Sequence, residues 1–250
     1  MSTELLISTH YSLGESLITL EDETEINSGP VSAIAIAKTH KLSHVNIVDS
    51  SMSGFVQGYE NFKKHKIEFR FGYKVCVCED INDKSEESFN TESSVIIWAL
   101  NSSAYADLVK ISTRAACDGF YYIPRIDWKT LKSLWNDNLG LSMPFYSSFL
   151  ARNTTKYKMR CIPDFSFTKP IFHLEEHGLP FDYILRNAVE SFTKTNSFKT
   201  AESHTCYYYK RNDVLKHQIF RCINKRTKVE KPNLEHYSSD SFCVEAVLNL

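Results

Sequence analysis

Two short, almost wholly apolar runs, HVNIVD (44–49) and SVIIWAL (94–100), are each followed within a few residues by a stretch with helical spacing. Runs this short and rich in β-branched residues suit strands buried on both faces, and such strands need a crossover, usually a helix, between them. The same alternation runs along the chain. ELLIS (4–8) reads as a strand, residues 30–41 as an Ala-rich helix with Ser32 at its front, and 54–65 as a helix with Phe55, Tyr59 and Phe62 at i, i+4 and i+7. Residues 67–79 form a strand or strand pair, 102–117 and 129–136 helices, 154–161 and 170–175 strands, and 181–195 and 212–224 helices. The acidic, polar stretches 15–29 and 80–93 read as loops. Strands alternating with helices predict an α/β fold with a parallel sheet or barrel, here as one domain over residues 1–250.

Composition narrows the function classes. Of 250 residues, 42% are hydrophobic and 24% charged, which fits a globular chain and excludes disorder or a coiled coil. The 29 basic and 30 acidic side chains give a formal charge of −1, so a surface devoted wholly to nucleic acid is excluded, though a local basic patch is not. The start, MSTELLISTHYSLGES, lacks a basic segment and a long apolar run, and no stretch reaches 18 continuous apolar residues. A cytoplasmic protein with no membrane partner is expected. The seven cysteines are odd in number and scattered, and Cys76 and Cys78 alternate on one face of a strand, so a disulfide framework is not expected.

Familiar catalytic patterns are weak. His173-Leu-Glu-Glu-His177 has the order of an inverted zinc-peptidase motif, but Gly178 and Pro180 follow at once, and that chemistry needs a helix. His177 is therefore read as a loop residue. Ser51-Met-Ser53-Gly54 lacks the leading glycine of a serine-hydrolase elbow, and no phosphate-binding P-loop is present.

Several stretches together, in order, carry a resemblance: THYSLGES (9–16), SAIAIAKTHK through FGYKVCV (32–77), SVIIWALNSSAYADLVKISTRA (94–115), DGFYYIPRIDWKTLKSL (118–134), FHLEEHGLP (172–180), residues 212–233 and SSDSFCVEAV (238–247). GFYYIPRID is the most specific of them. The chain resembles the polymerase-and-histidinol-phosphatase (PHP) domain at the front of bacterial C-family DNA polymerases, the DNA polymerase III alpha subunit. The resemblance implies a distorted (β/α)₇ barrel whose site lies on loops at the C-terminal ends of strands. In active members it implies two or three divalent ions held by His, Asp, Glu and sometimes Cys, which activate water on a phosphoester.

Carried over position by position, that ligand set is mostly missing. The positions implied are Ser8 and His10 after the first strand, Asp49 and Ser50 after the next, Lys74, Ser94, a residue among Phe145, Tyr146, Ser147 and Ser148, and finally Thr205 and Tyr207. Only Asp49 matches in kind, and His10 is a ligand-capable replacement. The expectation is a degenerate site with no metal and no catalytic residue, in which Lys74 pairs with Asp49. Two alternatives stand beside it. A rearranged Zn or Mn site on His10, Asp49 and His204 would make a phosphoesterase or 3′–5′ exonuclease. Basic residues Arg152, Lys156, Lys158 and Arg160, with Lys225, Arg226 and Lys228, could instead contact DNA or an acidic partner. Tyr207, Tyr208 and Tyr209 would pack into the space the ligands leave. In the polymerase a palm with catalytic aspartates follows this domain; no palm follows within these 250 residues. The resemblance thus implies an inactive PHP-like protein. It would act as scaffold or binding module for replication proteins (polymerase body, proofreading exonuclease or another replisome subunit). Alternatively, as a bacteriophage-type copy, it would mimic and divert them.

Overall fold

The structure, a computed structural model, describes residues 3–22, 30–90, 93–156, 161–230 and 239–248. The chain divides into two compact units. One holds Met1–Phe71, Glu175–Asp182 and Glu202–Leu250; the other holds Gly72–Leu174 and Tyr183–Ala201.

In the first unit, β1 (Glu4–Ile7) runs parallel to β2 (His44–Asp49) on one side and to the end of β8 (Lys199–Cys206) on the other. Ile7 stands level with both Ile47 and Cys206, so the three strands finish at the same edge. Two helices connect and cover them, α1 (Ala33–Thr39) and α2 (Phe55–Lys64). The Ser32 hydroxyl accepts from the Ala35 amide and starts α1, as the sequence suggested, and Ala33, Ile34, Ile36 and Ala37 form its buried face. Gly54 precedes α2 as its N-cap, and the Tyr11 ring, 2.3 Å from where a Cβ would stand, leaves no room for a side chain there. Of its three periodic aromatics, Phe62 is fully buried and stacks on Phe69, while Tyr59 stays half exposed. Helices α8 (Val214–Lys225) and α9 (Val244–Leu248) complete the unit.

In the second unit, β3 (Glu68–Cys78) pairs with β4 (Ser93–Ala99) and β5 (Arg125–Asp127), β4 with β6 (Leu139–Met143), and β6 with β7 (Ile171–Leu174). β4 is antiparallel to both its neighbours, so the sheet is mixed, where strand–helix alternation alone suggested a parallel sheet or barrel. β5 and β6 have three and five residues, too short for a period to show in the sequence. Helices α3 (Glu86–Asn90), α4 (Ala104–Cys117), α5 (Trp128–Leu134), α6 (Phe149–Lys156) and α7 (Asp182–Asn196) accompany the strands. α3 breaks the stretch read as a loop over 80–93. α6 replaces the start of the strand expected at 154–161, and residues 157–160 lie outside the described residues. Its first turn is fixed by Ser148, whose hydroxyl accepts from Ala151 and whose carbonyl accepts from Arg152. That cap outweighs the β-leaning Thr154 and Thr155.

GFYYIPRID turns out to be a structural cradle. A Cβ on Gly119 would stand 1.8 Å from the Arg125 carbonyl oxygen, a contact no side chain tolerates. The Arg125 side chain is wholly buried, donating to the carbonyls of Gly119 (3.2 Å) and Asp83 (3.0 Å) and to the Ser88 hydroxyl (3.1 Å). Asp127 then caps α5 by accepting from the Thr130 amide at 2.7 Å.

Candidate functional site

The common edge of β1, β2 and β8 is where parallel strands of this kind carry chemistry. Asp49, the last residue of β2, sits there with no exposed surface. Its carboxylate accepts from the Thr9 amide (2.7 Å), the Thr9 hydroxyl (2.6 Å), the Ser12 hydroxyl (2.8 Å) and, at longer range, the Ser8 hydroxyl (3.5 Å). Burial pushes its carboxyl above the usual carboxylate range, and the hydrogen bonds from Thr9 and Ser12 only partly offset it. Ser12 also accepts from the Ser50 amide at 3.0 Å. Hydroxyls and an amide thus answer Asp49. Lys74 and Ser94 lie on β3 and β4 of the other unit, where Lys74 stands level with Ile96 and the Ser94 amide donates to the Ser147 carbonyl at 2.7 Å.

β8 brings a second buried group to the same unit. Thr205 donates to Glu175 twice, amide to Oε2 and hydroxyl to Oε1, each at 2.9 Å. Glu175 Oε2 also meets His177 Nε2 at 2.8 Å. The His177 ring lies 4.1 Å from the His204 ring and stacks on Phe242 at 3.8 Å. His204 Nε2 donates to the Ser241 carbonyl at 2.6 Å, so that nitrogen offers no lone pair to a metal. Sequence reasoning placed His177 correctly in a loop but missed its burial and the whole Glu175 cluster. The one available signal was a polar Glu-Glu-His directly after an apolar strand, ahead of Gly178 with φ of 72°.

Tyr207 and Tyr208 are buried, as the packing reading of the tyrosines expected, and the His217 ring lies 5.2 and 5.0 Å from theirs. Burial pushes His204 and His217 down from 6.5 to about 4; the neighbouring His177 adds to this for the first and Arg221 for the second. Both therefore stay neutral when folded and take a proton more readily when unfolded. Their contribution is complete above pH 6.5 and drains away as pH falls from there towards 4, by about 3 kcal/mol per ring at most. Urea midpoints should fall over that range while the two ring resonances stay at their neutral positions. A flat profile, or rings that titrate near 6.5, would contradict the burial.

Whether metal fits is decided by the donors. Among the described residues no three His, Cys, Asp or Glu side chains gather closely enough to hold an ion. His10 is only partly buried, leans on the Tyr11 ring at 4.2 Å, and is followed by hydroxyl groups. The residues at the implied ligand positions do not fit a multinuclear cluster. Of the basic positions, Arg152 lies half-buried on α6, and Lys225, Arg226 and Lys228 are exposed at the end of α8. The side chain of Lys156, together with Lys158 and Arg160, falls outside the described residues.

The pattern of the PHP domain matches residues 5–151, more than half of the chain. The chain belongs to the PHP domain family. Its fold is accordingly the α/β PHP type that the sequence implied. This PHP protein is 24% identical over 157 residues to the DNA polymerase III subunit alpha of Thermus aquaticus, covering 60% of this chain and 13% of that one. It is 20% identical over 223 residues to the same subunit of Borreliella burgdorferi, covering 85% and 19%. With Campylobacter jejuni the figures are 22% over 268 residues, covering 98% and 21%. The PHP chain thus spans about a fifth or less of the length of these relatives. No disulfide joins any of the seven cysteines, all of which are among the described residues, and no described helix is long and apolar enough to cross a membrane.

Proposed function

We propose that this PHP domain has no phosphoesterase activity and serves as a protein-binding module for replication proteins, as scaffold or as a mimic of the phage type that diverts them. The observation that carries the first half is the buried Asp49 carboxylate, held by Thr9, Ser12 and Ser8 where a catalytic carboxylate must face a cation. Three donors meet Oδ1 and the Thr9 hydroxyl meets Oδ2, an arrangement that ties the carboxylate into the fold. The second half rests on the relatives, which are replication polymerase subunits. Proteins of the replisome are then the natural partners, and the bacterial cytoplasm the natural setting.

The test uses the full chain, purified after growth with added Zn, Mn and Fe. Metal content by mass spectrometry should be far below one ion per chain, and hydrolysis of bis-p-nitrophenyl phosphate should equal the buffer blank. Stoichiometric metal, lost on chelation together with hydrolysis, would establish the phosphoesterase instead.

A further inference from the structure

α8 is anchored by one face and bare on the other. Inward, His217 Nε2 donates to the Glu15 carbonyl at 2.9 Å, Arg221 lies over the Tyr207 ring at 5.7 Å, and Cys222 is buried. The helix ends on Arg226 in the left-handed conformation, whose amide donates to the Cys222 and Ile223 carbonyls. Outward, Leu215, Ile219 and Ile223 are 57%, 44% and 70% exposed. They recur at i, i+4 and i+8, a straight aliphatic stripe about 12 Å long on one helix face. An amphipathic surface helix ordinarily turns such a stripe inward. Here His217 and Arg221 occupy the inward face instead.

The charge beside the stripe is mainly basic. Residues 214–229 include Lys216, Arg221, Lys225, Arg226 and Lys228; Asp213 and Glu230 flank them, and Asp213 pairs with Lys216 at 2.7 Å, which leaves Lys225, Arg226 and Lys228 as a basic cluster at the C-terminal end of the stripe. Apart from Arg221 these cations are exposed. An aliphatic stripe flanked by cations fits a partner helix with its apolar residues on one face and carboxylates beside them. Nucleic acid would want aromatic rings for its bases, and the exposed face of α8 offers only aliphatics. A lipid surface would want a longer apolar face with aromatic anchors.

We infer that the exposed face of α8 is a docking site for an acidic amphipathic helix of a partner protein, with Leu215, Ile219 and Ile223 as the apolar contact and Lys225, Arg226 and Lys228 as its charged rim. This rests on the protein-binding reading above and gives it a surface and a partner chemistry.

The experiment titrates the full chain into a fluorescein-labelled amphipathic peptide of about 20 residues, with leucines on one face and glutamates beside them. Anisotropy should rise with saturable, salt-sensitive binding. The Ile219→Asp variant should weaken binding at least about tenfold, the cost of burying a charge in an apolar contact. Lys225→Glu with Arg226→Glu should weaken it severalfold and remove most of the salt dependence. These positions are exposed, so circular dichroism should show the variants folded. No binding, equal binding by Ile219→Asp, equal binding of a peptide with lysines for glutamates, preference for single-stranded DNA or anionic vesicles, or self-association lost in Ile219→Asp would each overturn the assignment. Failure here is distinguishable from failure of the protein-binding reading. That reading falls with metal-dependent hydrolysis, and it stands if replication proteins are captured equally by wild type and Ile219→Asp.

Discussion

Gly119→Ala should leave the chain without a folded second unit. The added methyl carbon would stand 1.8 Å from the Arg125 carbonyl oxygen and 2.8 Å from its carbonyl carbon. Both atoms belong to the backbone of β5, so no rotamer change relieves the overlap; the turn between α4 and β5 would have to open. Opening it also strips the buried Arg125 guanidinium of its Gly119 acceptor. Forced overpacking together with loss of a buried charge-assisted bond should cost about 4 kcal/mol or more, a large share of the 5–15 kcal/mol typical of a folded domain. The expected result is insoluble protein, or a first denaturation step at much lower urea. Arg125→Met, which keeps the volume but removes the donors to Gly119, Ser88 and Asp83, should fold with a loss of about 2–4 kcal/mol. A Gly119→Ala protein with wild-type stability would show that the turn is not built as described.

Asp49 gives the second large effect, and here two substitutions should diverge. Asp49→Ala leaves the Thr9 amide and the Thr9 and Ser12 hydroxyls buried without an acceptor, at a cost of about 3 kcal/mol or more. Asp49→Asn keeps one acceptor and presents an N–H where a protonated carboxyl would present O–H, so the Thr9 hydroxyl can accept from it. The loss should stay within about 1 kcal/mol at neutral pH. The pH dependence separates them further. The carboxyl pKa is raised on folding, so its contribution is complete below the ordinary carboxylate value of 3.8 and is lost as pH rises through the folded one. Asp49→Asn should remove that decline, leaving the opposite slope to which His204 and His217 contribute. A catalytic Asp49 would behave otherwise: Asn would leave stability alone and abolish metal binding and turnover.

The legible parts of this molecule were those with a period. HVNIVD spans β2 residue for residue, 54–65 contains α2, and 181–195 covers α7 up to its last residue, Asn196. The sequence hid β5, β6 and the direction of β4, because orientation in a sheet is set by connections and partners and leaves no local mark. The site was half legible. Asp49, Ser8 and Thr205 stand at the strand ends that the family resemblance indicated. What surrounds them was not, since Thr9 and Ser12 look like ordinary loop residues, and Glu175 reaches Thr205 from 30 positions away along the chain, as His177 reaches the His204 ring from 27.

The pairing of β1 with β8 sets a timetable for synthesis. Leu6 hydrogen-bonds level with Thr205, so one edge of β1 has no partner until the ribosome has made nearly 200 further residues. At about 5–20 residues per second that is a wait of roughly 10–40 s, during which β1 can pair only with β2. Its exposed edge through that interval is a place where a chaperone, or another nascent copy, can reach the chain before its own C-terminal segment does.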